Sequence, residues 1–534
     1  MGETKLKADL ELNVDVLVIG GGPAGAWSAI SAANAGAKVA LVDKGYLGSS
    51  GATAPSGTGV WYIQPDDKLR QEAKLSRYDL GGQLSEDRWM NRVLDKAYER
   101  MNHLAQWGYP FPADEHGTVQ IRALQGPEYM KMMRKLVQKA GVKVLDHSPA
   151  LELLADAHGV AGARGVRNQT NETWIIRAGA VVIATGGCAF LSKALGCNVL
   201  TGDGYLLAAE AGAELSGMEF SNAYAISPTF SSVTKTAYYR FASFYHEDGT
   251  VVEGAASHRG RSVIAKNLLQ GRQVYACLDQ VPEEMKPILR VGQTNFFLPF
   301  DRLGIDPFRD SFPVTLRLEG TVRGTGGIHI IDETCATKVS GLYAAGDAAT
   351  RELICGGFTG GGSHNAAWAM SSGSFAGQGA AEFALALSGK AEDRSLLGLS
   401  SSPLTSQLSD PSPGKVQEYV EAVKEEVHPY DRNLFRTDKV LTDSLGRLDE
   451  LWKQQRDQTI TLNAQGYKAR EALAMTATAR WMYESAKFRT ETRGMHRRVD
   501  FPNIDANQHY RLVSGGLDRV WVKPELVKGK VAVL

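Results

Sequence analysis

Gly20, Gly22 and Gly25 stand in G-x-G-x-x-G spacing within GGGPAG, and Asp43 follows 18 residues after Gly25. That set can hold a dinucleotide. The first glycine permits a tight turn, the second lets a pyrophosphate approach the backbone, and the third lets helix and strand pack closely. A helix opening there offers free N–H groups and a positive dipole end to the phosphates. A carboxylate about 20 residues further on is placed to hold a ribose hydroxyl. The glycines alone would also serve a tight strand–helix turn without any ligand, and the pattern alone does not choose between FAD and NAD.

These residues act only if a strand and a helix hold them. Val16, Leu17, Val18 and Ile19 make an apolar β-type run into the turn, a small-residue helix follows, and a second apolar run, Val39 to Val42, delivers Asp43. Two later segments, VVIATGG and GLYAAGD, each carry a strand into a small-residue turn, and the small-residue helix SSGSFAGQGAAEFALAL follows the second. Residues 84 to 108 read as helical, with Trp89, Val93, Ala97, Met101 and Leu104 on one face, and strand-like runs lie at Val142–Leu145 and Ala150–Leu154. From 217 to 326 aromatics crowd in and the glycine fingerprints stop, the mark of an inserted domain. Residues 386 to 414 are rich in Ser, Pro and Gly and read as a linker or exposed loop. Beyond it Val416, Val420, Val423 and Val427, then Leu441, Leu445, Leu448 and Trp452, keep helical spacing. There is no internal repeat.

Composition narrows the classes. A chain of 534 residues exceeds one compact core and predicts two or three domains. Lys plus Arg and Asp plus Glu are equal at 59 each, which argues against nucleic-acid binding and electrostatic attachment to anionic lipid. The five cysteines show no C-x-x-C pairing, so neither a zinc nor an iron–sulfur site is expected in this chain. With a charged N-terminus and no apolar run of about 18 residues, the expectation is a cytoplasmic protein without membrane insertion.

A second and a third phosphate-contacting turn suit a long, extended cofactor, as FAD is. The chain resembles the flavoprotein superfamily of succinate dehydrogenase, fumarate reductase, L-aspartate oxidase and adenylylsulfate reductase. The resemblance rests on GGGPAG (20–25), ATGG (184–187), TGDG (201–204), AGAELSGMEF (211–220), SPT (227–229), TGGI (325–328), GLYAAGD (341–347) and ETRGMHRRVDFP (491–502), which occur in the family's order over nearly the whole chain. It implies an α/β fold: a Rossmann-like, glutathione-reductase-type FAD-binding domain in two parts (1–216 and 327–395). An α+β capping domain is inserted at 217–326, and a linker with a C-terminal helical domain covers 396–534.

Carried over motif by motif, the resemblance implies Gly20, Gly22, Pro23, Ala24 and Gly25 at the pyrophosphate, and Asp43 or Lys44 near the adenosine ribose. Ser49, Ser50, Gly51, Ala52 and Thr53 would run beside the flavin. Ala184, Thr185 and Gly186 would form the second turn, Asp203 would contact the cofactor, and Gly346 with Asp347 would meet its ribityl–phosphate region. Asn365 and Ala366 would lie under the ring. An aspartate at position 347 equally well caps a helix. Covalent relatives attach FAD through a histidine in S-H-T; SSGAT offers Ser50 and Gly51 instead, so the FAD is expected to be non-covalent.

The family's dicarboxylate anchors are missing. Its two histidine positions are Ser227 and Val322, and its substrate arginine is Gly360. A buried carboxylate without charged partners costs several kcal/mol, so a C4 dicarboxylate is not the expected substrate. The family's proton-delivering arginine aligns with Arg261 in HRGRSVIAKN, with Arg259 an equally basic neighbour and His258 a second catalytic candidate. Tyr224, Ser227, Arg240, Arg323 and His364 are candidate substrate contacts, while His329 and His496 read as packing. The SSGSF segment leans toward the adenylylsulfate reductase branch, whose active-site histidine position falls near Trp368.

The favoured reading is an FAD-dependent oxidoreductase that passes a hydride between a small organic substrate and the flavin, with Arg261 moving the proton. The alternative is a flavoprotein electron-transfer or assembly subunit without substrate chemistry, paired with an iron–sulfur protein. An iron–sulfur or ferredoxin-like partner and a homo-oligomer both stay open, and substrate identity is not legible.

Overall fold

The computed structural model describes residues 7–113, 117–234, 238–257, 260–358, 361–387, 394, 396–405 and 412–527. Its centre is a sheet in which the strand Leu10–Ile19 lies between Val39–Val42 and Thr173–Ile183, parallel to both. Lys143–Leu145 extends it in parallel beyond Val39–Val42, and Leu342–Ala344 pairs in parallel with the end of Thr173–Ile183. Gly159–Val166 and Ala150–Asp156 continue the other side as antiparallel strands. The parallel strands are apolar along their inner length because both faces are covered: Val16, Leu17, Val18, Val181 and Val182 are all fully buried.

The helix Pro23–Asn34 and the long helix Gly361–Ala386 pack on each other and against the first strand. Their seam is backbone on backbone. A Cβ added at Gly373 would lie 2.5 Å from the carbonyl oxygen of Ala24, and one at Gly377 would overlap that of Ser28. The predicted helix over 84–108 is Asp87–Gln106, with all five of its apolar face residues buried.

Residues 223–319 carry a separate four-stranded antiparallel sheet in the order Ala223–Pro228, Phe312–Glu319, Val274–Cys277, Ser243–Tyr245. Phe312, Val314, Leu316 and Leu318 alternate inward, and the Phe300 and Phe312 rings meet edge to face at 4.7 Å between centroids. The crowded aromatics are therefore the core of this unit. Its strand Phe312–Glu319 ends at the central cavity, and Asn295 donates to the carbonyl of Pro55, tying the unit to the polar loop after Asp43.

Three long helices, Pro413–Val427, Asp438–Arg456 and Ala464–Phe488, make up most of the C-terminal part. Ser412, Thr437 and Asn463 cap them by accepting from the N–H groups of Lys415, Val440 and Gly466. Helical periodicity gave no sign of the hairpin beyond them, in which Tyr510–Gly515 and Trp521–Leu526 add to the short strand Leu215–Ser216. The expected linker is also tied down in part. Leu397–Gly398 pairs with Leu154 and Ala155, and Leu404–Thr405 with Ile460–Thr461. Backbone pairing, invisible to composition, holds those stretches; residues 388–393, 395 and 406–411 of that segment lie outside the described residues. Among the described residues no helix is long and apolar enough to cross a membrane.

Candidate active site

One cavity of about 910 Å³ runs across the C-terminal ends of the central parallel strands, where open α/β sheets bind their ligands. Gly20, Gly22, Pro23 and Ala24 line it at the first turn, and Asp43 and Lys44 at the end of the second strand. Ser50, Gly51, Ala52 and Thr53 line it from the polar loop, Ala184, Thr185 and Gly186 from the turn after Thr173–Ile183. Asp203, Gly346, Asp347, Asn365 and Ala366 complete that set. Two cofactor candidates fall outside the wall. Gly25 is needed because a Cβ there would overlap the carbonyl oxygen of Gly20, so it serves packing; the Ser49 hydroxyl donates 3.3 Å to the carbonyl of Tyr46.

The chemistry of this wall fits FAD. The helix Pro23–Asn34 starts at Gly22 with no side chain on its N-terminal N–H groups, leaving them for a pyrophosphate. Gly22 and Gly51 face each other, and a Cβ on Gly51 would come to 3.2 Å from both the Gly22 Cα and the Pro23 Cδ, so the close approach depends on the glycine at 51. Asp43 accepts from the N–H of Gly21 at 2.5 Å, the N–H of Gly45 at 2.8 Å and the Ser50 hydroxyl at 2.5 Å. It clamps the glycine loop and still has lone-pair capacity for a ribose hydroxyl. Asn365 donates through Nδ2 to the carbonyl of Val322 at 3.0 Å, while its buried Oδ1 has no partner within the protein. Such an orphan costs about 1–3 kcal/mol, which a ligand donor would offset. The volume lies near the top of the roughly 300–1,000 Å³ range of small-molecule sites, as a long cofactor plus a substrate requires.

At the other end the wall changes from backbone to side chains. Arg261 opens the helix Arg261–Leu269 and donates from Nη1 to the carbonyl of Tyr224 at 2.5 Å. Burial, opposed by Glu319 and reinforced by Arg497 and Arg323, lowers its hold on its proton. Arg323 lies 3.9 Å from Glu319, whose charge raises the Arg323 pKa, and Thr234 donates to that carboxylate at 2.7 Å. Arg240, His364 and Arg77 share this wall, with the His364 ring 4.7 Å from that of Trp61. Burial raises the Asp347 carboxyl, against the pull of Arg351 and Arg323.

Several expected positions are corrected. Tyr224 points away from the cavity: its hydroxyl donates to the carbonyls of Val427 and His428, at 3.0 and 2.9 Å. Ser227 is buried in its own turn, donating to the carbonyl of Ser231 at 2.8 Å. Asp347 is no helix cap; it pairs with the fully buried Arg351. Trp368 is buried and donates to the carbonyl of Gly346 at 2.9 Å. His258, Arg259 and Gly360 lie outside the described residues. The sequence reading missed Arg77, Thr234 and Glu319 at one end, and Tyr467 and Lys468 at the other. Glu319 stands three residues before Val322, where the resemblance expects a substrate anchor, and that proximity is its one signal in sequence; Arg77, on the separate helix Asp67–Leu80, carries none.

Comparison with known proteins agrees with this geometry. Residues 15–229 match the FAD binding domain family and residues 427–530 the fumarate reductase flavoprotein C-terminal family. A chain of the fumarate reductase (CoM/CoB) of Methanothermobacter marburgensis is 25% identical over 91% of this protein and 94% of its own length. The fumarate reductase flavoprotein subunit of Mycobacterium tuberculosis is 26% identical, with 93% of each chain covered. Among solved structures, Escherichia coli quinol fumarate reductase superposes with a TM-score of 0.78 at 21% identity and 97% coverage of both chains. Adenylylsulfate reductase from Archaeoglobus fulgidus gives 0.77 at 17% identity with both chains fully covered. The chain thus carries an FAD binding domain and a fumarate reductase flavoprotein C-terminal domain, is similar to fumarate reductase flavoproteins over more than nine-tenths of its length, and is an FAD-dependent oxidoreductase.

Proposed function

We propose that this protein transfers a hydride between FAD, held non-covalently, and a small organic anion other than a C4 dicarboxylate. The observation that carries the reading is the continuity of one cavity from the glycine turn to Arg261, Arg323 and Arg240. Bound FAD supplies the hydride acceptor or donor. Arg323 and Arg240 attract and orient the anion, and Glu319 with Thr234 fixes the Arg323 side of the wall. Arg261, at the start of its helix and held by the Tyr224 carbonyl, exchanges the proton with the substrate. A buried guanidinium beside two other cations gives up that proton more readily than one in water. The arginines stand at positions other than those of the family's histidine anchors, which are Ser227 and Val322 here, so the anion they grip differs in shape from fumarate.

Anaerobic titration of the yellow protein with reduced organic anions tests this. The flavin should bleach with an anionic reductant, not with its neutral isostere, and the response should weaken with salt. Electron exchange with an iron–sulfur or ferredoxin-like protein, combined with inertness to every organic anion, would instead establish the alternative, an electron-transfer role without substrate chemistry.

A further inference from the structure

The end of the cavity at Lys44 is closed by a segment more than four hundred residues away in sequence: Lys44 donates to Glu471 across a separation of 427 positions. The Lys44 ammonium has three donors, and all three are used: on Asp203 at 2.7 Å, on Glu471 at 2.9 Å and on Thr201 at 3.1 Å. Tyr467 donates to Glu471 Oε1 at 2.5 Å and Lys468 to Glu471 Oε2 at 2.8 Å, while Thr201 donates to Asp203 Oδ1 at 2.7 Å. Lys44, Asp203, Tyr467 and Lys468 line the cavity; Glu471 stands behind them. Burial disfavours charge here, yet Lys44 and Lys468 hold the Glu471 carboxyl well below its usual range, so it stays a carboxylate at any working pH.

We infer that Glu471, supported by Tyr467, is a positioning residue for the ribose–adenine end of the FAD site and acts through Lys44. Lys44 directly follows Asp43, the carboxylate that clamps the glycine loop, and its own carbonyl accepts from Asn168 Nδ2 at 3.1 Å. Fixing the Lys44 side chain therefore fixes the segment that presents Asp43. The C-terminal helix Ala464–Phe488 thus serves cofactor binding as well as packing. The neighbouring pair Arg470–Glu210, at 2.6 Å and almost wholly buried, ties the same helix to the helix Asp203–Glu210 without lining the cavity. It provides an internal control for a purely structural role.

The test is FAD and ADP affinity of the full-length apoprotein, with its melting temperature measured in parallel. ADP carries only the adenosine and pyrophosphate half of the cofactor and so localises any effect. Glu471→Gln should weaken FAD and ADP by the same factor, about tenfold, the scale of one lost charge-assisted contact. Tyr467→Phe, which removes one hydroxyl, should weaken both about threefold. Arg470→Gln should lower the melting temperature while leaving both affinities within about twofold. The double variant Lys44→Met/Glu471→Gln should bind no more weakly than Lys44→Met alone, because the carboxylate works through the lysine. Unchanged affinities in Glu471→Gln and Tyr467→Phe would overturn the inference, as would a Glu471→Gln loss that adds in full to that of Lys44→Met. If Glu471→Gln fails to fold, Tyr467→Phe decides alone.

Discussion

The two ends of the cavity are built from different materials. Near Gly20 and Gly22 the wall is backbone: glycines, a bare helix start and a clamp from Asp43. Near Arg261 it is side chains, delivered by a helix before the inserted unit (Arg77), by that unit itself (Arg240, Arg261, Glu319) and by the long helix after it (His364). The first material holds a fixed ligand and leaves no room for a side chain at Gly20 or Gly25. The second can be exchanged residue by residue while the sheet beneath stays as it is.

The sharpest way to break the contrast is at the backbone end. Gly25→Val would drive side-chain atoms into the Gly20 carbonyl, and the purified protein should lose essentially all its yellow colour. Gly446→Ala, inside the helix Asp438–Arg456 with open space around it, should keep the colour and gain about 0.5–1 kcal/mol in denaturant unfolding. Colour retained by the valine variant would refute the steric account of the cradle. Since no histidine lies between Asp43 and Trp61, acid precipitation should leave all the flavin in the supernatant, and a yellow pellet would mean covalent attachment.

At the side-chain end the effects are large but graded. Succinate, fumarate and L-aspartate should react at least about three decades more slowly than an ordinary enzyme rate, because the proposed reading puts the uncharged Ser227, Val322 and Gly360 where the resemblance expects three charged anchors. Turnover of any of them near ten per second, a median enzyme value, would contradict the proposed exclusion. Arg261→Gln and Arg261→Lys should keep the bound-FAD spectrum and lose about a hundredfold or more in rate, the lysine failing for want of the planar fork. Full activity in Arg261→Gln alongside an inactive Arg259→Gln would move the proton donor by two residues.

An effect on stability rather than on colour or rate lies away from both ends. Burial lowers the His428 pKa to about 4, and burial with Arg436 and Arg489 pushes His496 well below its ordinary value. Arg436 donates to His496 Nδ1 at 2.8 Å, so the ring carries its hydrogen on Nε2 and faces the Arg489 carbonyl at 3.2 Å. Both rings are neutral when folded and take up a proton when unfolded. Stability is therefore full above the unfolded pKa of about 6.5 and falls as pH drops toward 4, by up to about 3 kcal/mol for His428 alone. Denaturant unfolding between pH 7 and pH 4 should show that slope, reduced in His428→Gln.

Legibility in the sequence divides along the same line. Gly20, Gly22 and the runs around them were legible because a tight turn beside a phosphate admits one residue type, and parallel strands buried on both faces must be continuously apolar. Arg261 was legible only through alignment. Arg77 and Glu319 were not, since a guanidinium or carboxylate can reach a cavity from many segments and its own neighbours in sequence do not announce it. Glu471 hid for a further reason: it lies on the helix Ala464–Phe488, which no motif or spacing singled out, 427 positions from the lysine it holds. The hairpin Tyr510–Gly515/Trp521–Leu526 escaped because short strands added to a remote two-residue partner leave little periodicity.

Gly373 and Gly377 press the helix Gly361–Ala386 against the helix Pro23–Asn34 with no side chain between them. The first of these helices begins at the substrate end, with His364 and Asn365, and the second begins at the glycine cradle. Fused in this way, they act as a caliper whose setting is locked. Exchanges in the opening turn of the longer helix can alter which molecule is admitted while its distance from the cradle is preserved. A lineage built on this frame can take up new substrates without having to rediscover how to hold its redox group.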